Sequence, residues 1–224
     1  MILLNIKRII GLILFLSTII LAGCSNVTND NDTIKHKSEV KQTIKSSEDK
    51  LLEYTEEGMN ILKANYPTFE KMDLALKNIG NSVSNLTLNN TDGEPFKFNK
   101  LNGKKVILSV NKTDCSFCKK TSMLIDKVIK DTDIIYIPLF IKSTNDEIND
   151  YYENLNLNKP NTILVDENLS FIKEASIKNV PTLFFIDENN RISLIKEFDY
   201  DKITLTDDLK LAFESPKIYK MKVK

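Results

Sequence analysis

The sequence predicts an α/β sandwich, with helices packed on a mixed central sheet, an N-terminal β-hairpin extension and an added N-terminal helical segment. Three observations carry this. Short apolar runs, Val106–Val110, Ile134–Ile141 and Val180–Ile186, alternate with stretches of helical periodicity. Those runs are almost unbroken rather than alternating, as strands covered on both faces are. Finally, Cys115-Ser116-Phe117-Cys118 follows the first run and opens a helical stretch marked by Met123, Leu124, Val128 and Ile129.

Taken in order, the chain begins with Lys7-Arg8, an apolar run from Ile9 to Leu21, and then Leu21-Ala22-Gly23-Cys24. A short basic region, an apolar core and small residues before a cut site describe a secretory signal peptide over residues 1–23. The core of about 13 to 14 residues is short of the ~20 that a spanning helix needs. Residues 24–47 are mostly Asn, Asp, Ser, Thr and Lys. They cannot bury enough apolar surface to offset the entropy of ordering, which predicts a flexible tether. The lone His36 lies in it.

Residues 48–80 carry one apolar stripe, Leu52, Thr55, Met59, Leu62, Tyr66 and Phe69, at spacings of three and four. This predicts a helix starting near Ser47-Glu48-Asp49, broken by Pro67 and followed by a second short helix with Met72, Leu76, Ile79 and Val83. The pair either packs on the main domain or serves as a dimerisation or partner-binding helix; the periodicity fits both. From residue 84 the period becomes two. Leu86 and Leu88, the Asp92-Gly93 turn, and Phe96 and Phe98 predict a hairpin. Asn102-Gly103 turns into the strand at 106–110. After the Cys-bearing helix come a strand at 134–141, a helix over 144–156, a strand at Ile163–Val165, a short helix at 169–177, strands at 180–186 and 192–198, and a last helix at 204–214 that stops before Pro216. The main domain thus spans 84–216.

Composition excludes some functions. The formal charge of zero becomes −2 without Lys7 and Arg8, at 29 basic against 31 acidic residues. That gives nucleic acid nothing to bind. Cys24, Cys115, Cys118 and His36 are the only sulfhydryl and imidazole groups, too scattered for the four ligands of a structural zinc site. No metal or other cofactor is expected. A Cys-x-x-Cys pair at a helix start points to redox chemistry instead. The helix N-terminus favours the thiolate of the first cysteine, and thiolate is the attacking species in disulfide exchange.

Two resemblances sharpen this reading. Leu21-Ala22-Gly23-Cys24 resembles the lipobox of bacterial lipoproteins, which implies lipid on the Cys24 sulfur, cleavage just before it, and an anchor on the extracytoplasmic face of the cell membrane. With Cys24 so used, Cys115 and Cys118 are the one remaining thiol pair. The order of elements over 84–214, with Cys-x-x-Cys opening the first main helix, resembles the thioredoxin fold. The hairpin before the strand and the run Val180-Pro181-Thr182-Leu183-Phe184-Phe185-Ile186 are similar to the redoxin branch and its membrane-tethered thiol–disulfide oxidoreductases.

The resemblance implies that Cys115 is the nucleophile and Cys118 the resolving thiol. It also implies that Pro181 is a cis-proline beside the sulfurs, and that Val180, Pro181 and Thr182 form the loop that binds an extended substrate. Protein thiols and disulfides would be the substrates, and a membrane-embedded redox partner would reset the pair. Departures matter too. Asp114 stands where the family usually has Trp, with a helix N-cap as its expected role. Ser109 occupies the position of the family's buried acid, and Lys142 that of an alternative Glu. Asp146 and Glu147 are then the nearest acids to consider as proton acceptors. Two rival functions stay open: a thiol peroxidase of the peroxiredoxin type, whose Thr three residues before the cysteine is here Lys112, and a non-enzymatic accessory or chaperone module for an exported partner.

Overall fold

The computed structural model describes residues 44–45, 51–197, 202–215 and 218–221. The stretch expected to be a signal peptide, Cys24 and His36 lie outside the described residues. Among the described residues, ten strands and six helices follow one another: β1 (Ile44–Lys45), β2 (Leu51–Tyr54), α1 (Glu56–Asn65), α2 (Phe69–Asn78), β3 (Thr87–Asn90), β4 (Pro95–Lys97), a 3-10 turn (Phe98–Leu101), β5 (Val106–Asn111), α3 (Ser116–Ile129), β6 (Ile135–Ile141), α4 (Asn145–Leu155), β7 (Leu164–Asp166), α5 (Ser170–Glu174), β8 (Thr182–Ile186), β9 (Ile192–Glu197), α6 (Lys202–Phe213) and β10 (Tyr219–Met221).

Seven strands form the central sheet in the order β4-β3-β7-β6-β5-β8-β9. β5, β6 and β7 are parallel, while β3, β4, β8 and β9 run antiparallel to their neighbours. All six residues of β5 and all five of β8 are buried, which is why those runs read as continuous rather than alternating. One face of β5 holds Ile107, Ser109 and Asn111. It continues through Tyr136, Pro138 and Phe140 of β6 and through Leu183 and Phe185 of β8. Helices α3, α4 and α6 cover this face. Ser122 Oγ meets the Tyr136 hydroxyl at 3.1 Å, Phe140 meets Tyr151 edge-on at 5.1 Å between ring centres, and Phe185 meets Phe213 at 6.0 Å. On the other face Phe184 packs against Phe171 of α5 at 5.3 Å.

The N-terminal helices pack on this domain. The break at Pro67 is as expected: α1 ends at Asn65, and Thr68 caps α2 by accepting the Lys71 N–H at 3.3 Å. Between them, the Tyr66 hydroxyl donates to the Ile195 carbonyl at 2.7 Å and accepts the Ile195 N–H at 3.2 Å, so it saturates backbone groups on the outer edge of β9. Asn78 Nδ2 donates to the Ala175 carbonyl at 3.0 Å, and Gly80 N–H donates to Ile192 at 2.7 Å.

The start of this segment differs from the expectation. Leu51–Tyr54 is a strand, and α1 begins only after Thr55, which caps it by accepting the Gly58 N–H at 2.9 Å. Leu52 and Thr55 therefore do not belong to the helical stripe. The reason is long-range. β2 pairs antiparallel with β10, Tyr54 opposite Tyr219 and Leu52 opposite Met221, and with β1 on its other side. β1 falls inside the stretch read as tether, and β10 lies beyond the domain end placed at residue 216. Gly58 permits this clasp: a Cβ there would overlap the Ile218 carbonyl group, whose carbon lies at 2.7 Å.

Candidate active site

β5 delivers the chain to the centre of the sheet, and the turn after Asn111 ends at α3. Cys115 is the N-cap of α3, with extended backbone (φ −91°, ψ 115°), and its Sγ accepts the Cys118 N–H at 3.0 Å. The expected cap, Asp114, is exposed and stands one residue too early. Sulfur thus takes the place an oxygen usually fills at a helix start. Cys115 and Cys118 are joined as a disulfide, with Cα atoms 5.2 Å apart. Cys115 is partly exposed, whereas Cys118 is 0% exposed. Between them Phe117 is 47% exposed, with the Lys120 ammonium 5.4 Å from its ring centre.

The loop before β8 lies against the pair. The Val180–Pro181 peptide is cis, and the Val180 carbonyl oxygen is 3.9 Å from Cys115 Sγ. Val180 is half-buried and Pro181 buried. Thr182 is not a surface contact: it is fully buried and its hydroxyl donates to the Asn179 carbonyl at 2.6 Å. It holds the loop in place, which leaves Val180, half-buried, as the one of the three with surface to offer.

Further along α3 and on β5 lies a group of hydroxyls and an amide, with the Asp126 carboxylate near enough to act on the Tyr136 phenol. Cys118 and Ser122 are one helical turn apart and share a face of α3. Ser122 Oγ contacts the hydroxyls of Tyr136 (3.1 Å) and Tyr151 (2.9 Å). On β5, Ser109 Oγ donates to Asn111 Oδ1 at 3.1 Å, and Asn111 Nδ2 donates to the Ser109 carbonyl at 2.8 Å. Desolvation pushes the Tyr136 phenol up, opposed by hydrogen bonding with Ser122, Ser109 and Asn111. The phenol therefore stays protonated at neutral pH. Thr121 Oγ1, three residues beyond Cys118, is buried without a partner.

The acids considered from sequence are exposed at the start of α4. Glu147 is exposed and closes a capping box: its carboxylate accepts the Thr144 N–H at 2.7 Å, and its own N–H donates to Thr144 Oγ1 at 3.3 Å. The Thr144 backbone and hydroxyl bonds hold the Glu147 carboxyl below its ordinary value. Asp146 is exposed in the same turn, and Lys142 is exposed with φ at 50°. The Ser109–Asn111 pair, with Tyr136 beside it, went unread in the sequence as a unit. Its signal was present: two polar residues at alternate positions, hence on one face, in a strand otherwise wholly apolar.

The comparisons with known proteins agree with this geometry. The family described as thioredoxin-like domain matches residues 94–195. No curated protein matches the chain. Among solved structures, DsbF of Mycobacterium tuberculosis is similar over 58% of this chain and 97% of its own, at 14% identity and a TM-score of 0.52. A putative protein disulfide isomerase from Bacteroides thetaiotaomicron is similar over 61% and 91%, at 17% identity and a TM-score of 0.51. A putative thiol:disulfide interchange protein DsbE from Chlorobium tepidum is similar over 60% and 95%, at 14% identity and a TM-score of 0.50. Family match, strand order and Cys-x-x-Cys placement converge on a thioredoxin-like domain over residues 94–195 of this chain.

Proposed function

We propose that the protein is a thiol–disulfide oxidoreductase of the extracytoplasmic membrane face, anchored by lipid on Cys24 and acting as a reductase of disulfides in exported proteins. The observation that carries the chemistry is the asymmetric Cys pair. One sulfur is accessible at a helix N-terminus beside the cis-proline loop, and the other is buried one turn further in. In the reduced protein, the Cys115 thiolate attacks one sulfur of a substrate disulfide. A mixed disulfide forms and one substrate thiolate leaves. Cys118 then attacks the Cys115 sulfur and expels the second. The protein dithiol gives up two electrons and two protons, and the substrate disulfide becomes two thiols.

The reductase direction is supported by what surrounds Cys115: one N–H on its sulfur, no His between the cysteines, and Asp114 directly before it. A strongly oxidising pair needs a stabilised thiolate. Resetting the pair requires a dithiol donor, which for an exported protein is a membrane-embedded partner. A signal peptide over 1–23 and a tether from Cys24 would hold the domain within reach of it. Among the described residues, no helix is long and apolar enough to cross a membrane, so in this reading the anchor is the lipid.

Trapping tests the roles. Cys118→Ser accumulates mixed disulfides through Cys115, whereas Cys115→Ser accumulates none. Trapping through Cys118 instead, or insulin reduction by Cys115→Ser, would refute the assignment. The potential of the pair tests direction. A value near about −270 mV fits a reductase, and one near about −120 mV fits an oxidase.

A further inference from the structure

The N-terminal helices build a cavity that the thioredoxin-like domain alone does not contain. It measures about 160 Å³ and lies between the end of α1, α2, β9 and α6, with Tyr66, Lys71, Lys196, Glu197, Thr204 and Asp208 among its lining residues. A single water needs only about 10–15 Å³ on this measure, so the space suits the end of a side chain. Its chemistry is unbalanced at one atom. Asp208 is 4% exposed; its Oδ1 pairs with the Lys196 ammonium at 3.1 Å, while its Oδ2 is buried with no partner. The other polar groups around it are engaged. Lys196 Nζ also donates to Asn65 Oδ1 at 2.9 Å, and the Tyr66 hydroxyl is used twice on Ile195. Glu197 stands at the mouth, hydrogen-bonded to the Asn179 side chain and in the field of Lys71 and Lys178. Desolvation pushes both the Glu197 and the Asp208 carboxyls up. A buried carboxylate oxygen without a donor is an incomplete hydrogen-bond set, and a cationic donor completes it best.

The cavity is also close to the sulfurs. Glu197 is directly opposite Thr182 in the β8–β9 ladder, and Thr182 is two residues from Val180, whose carbonyl is 3.9 Å from Cys115 Sγ. With about 3.3 Å per extended residue and about 4.8 Å between strands, its mouth is roughly 10–15 Å from that sulfur. A polypeptide lying along the loop spans that gap in a few residues.

We propose that this cavity is a substrate subsite that takes the ammonium or guanidinium group of a lysine or arginine close in sequence to the disulfide cysteine. The inference rests on the oxidoreductase reading and names the substrate class for it: disulfide-bonded polypeptides with a basic residue near the reacting cysteine. Asp208 Oδ2 receives the donor, Glu197 attracts it at the mouth, and the Lys196 ammonium holds Asp208 in place.

Peptide dimers linked by one disulfide, differing only in Lys, Ala or Glu one, two or three residues from the cysteine, test this with the reduced full chain. At the best-placed position the Lys peptide is reduced about tenfold faster, in kcat/KM, than the Ala peptide, as suits one buried charge-assisted hydrogen bond. Asp208→Asn brings that ratio close to unity. Should Asp208→Asn fail to fold, Thr204→Lys serves instead: it sets an ammonium at the rim of the same cavity from an exposed position and lowers the ratio by competition. Equal rates on Lys, Ala and Glu peptides with the wild-type protein overturn the subsite and leave the oxidoreductase reading standing. No reduction of any peptide by a fully reduced protein overturns both. A Lys preference that persists unchanged in Asp208→Asn and in Thr204→Lys places the recognition elsewhere and overturns the subsite.

Discussion

Tyr66→Phe is the most informative single-atom change for how the N-terminal helices are held to the sheet. β9 is the outer strand of the central sheet, and Ile195 turns its amide away from β8 toward the sheet edge. The Tyr66 hydroxyl satisfies both the N–H and the C=O of Ile195, which belong to successive peptide groups, at 2.7 Å to the carbonyl and 3.2 Å from the N–H, and both residues are buried. Removing the oxygen leaves two backbone groups unpaired. A buried group left without its partner costs about 1–3 kcal/mol, and the longer 3.2 Å bond belongs at the low end. Two terms reduce the sum. Phe has no hydroxyl to desolvate, and the neighbouring cavity, lined by Tyr66 and Ile195, has room for water to reach the amide. The net loss is then about 2–3 kcal/mol.

Urea unfolding checks it: the midpoint falls at constant slope, since the surface exposed on unfolding is unchanged. For a chain of this size the loss corresponds to roughly 4–12 °C in melting temperature. Exchange of the Ile195 amide hydrogen accelerates in the same variant, more than that of residues in β5. A loss below about 0.5 kcal/mol, the range of an ordinary surface change, would mean that the hydroxyl does not close the edge of β9 and that the helices are held by apolar contact alone.

Three further outcomes follow from the same structure. Gly58→Ala drives a methyl into the Ile218 carbonyl, so α1 or the C-terminal segment must shift. A loss of about 1–3 kcal/mol is expected for such overpacking, and a thermal melt unchanged from wild type would show that the β2–β10 clasp is slack. Six tyrosines, Tyr54, Tyr66, Tyr136, Tyr151, Tyr152 and Tyr219, have phenols pushed up by burial, Tyr54 to about 12. A raised folded-state value means that their contribution to stability is fully present below the unfolded value of about 10 and is lost as pH climbs toward the folded values. Absorbance at 295 nm should therefore show these phenols ionising together with loss of the folded circular dichroism above about pH 10; six phenols titrating near 10 in an intact fold would refute the burial argument. Cys24→Ser abolishes incorporation of a palmitate analogue and releases the protein from the membrane fraction, and equal labelling of wild type and variant would remove the lipid-anchor proposal.

The strands nearest the site were legible because their signal is local. A short, almost unbroken apolar run such as Val106–Val110, bounded by turn residues, reads as a strand covered on both faces. A Cys-x-x-Cys directly after it could only open the next helix, and Asp92-Gly93 between alternating residues could only be a hairpin turn. The N-terminal segment was legible in part. The stripe from Met59 to Phe69 and the break at Pro67 matched α1 and α2, but the same periodicity extended falsely into Leu51–Tyr54. Those residues pair with Tyr219–Met221 on one side and with Ile44–Lys45 on the other, and no window of neighbouring residues contains the pairing with β10.

Asp114 was misread as the cap for a related reason. Asp is a common N-cap, and nothing in the sequence said that the chain would stay extended one residue longer and let the Cys115 sulfur accept the Cys118 N–H. The sequence alone determined the chemistry on offer: one thiol pair at a helix start, a proline before an apolar strand, and Ser109 in place of a buried acid. Tertiary structure decided what those groups face. It brought the Val180 carbonyl to the Cys115 sulfur, set Ser122 and Tyr136 beneath the helix, and left Asp208 Oδ2 unpaired in a cavity walled by helices from the other end of the chain. Residue type sets what a group can donate, accept or attack; burial and long-range pairing set which of these it does.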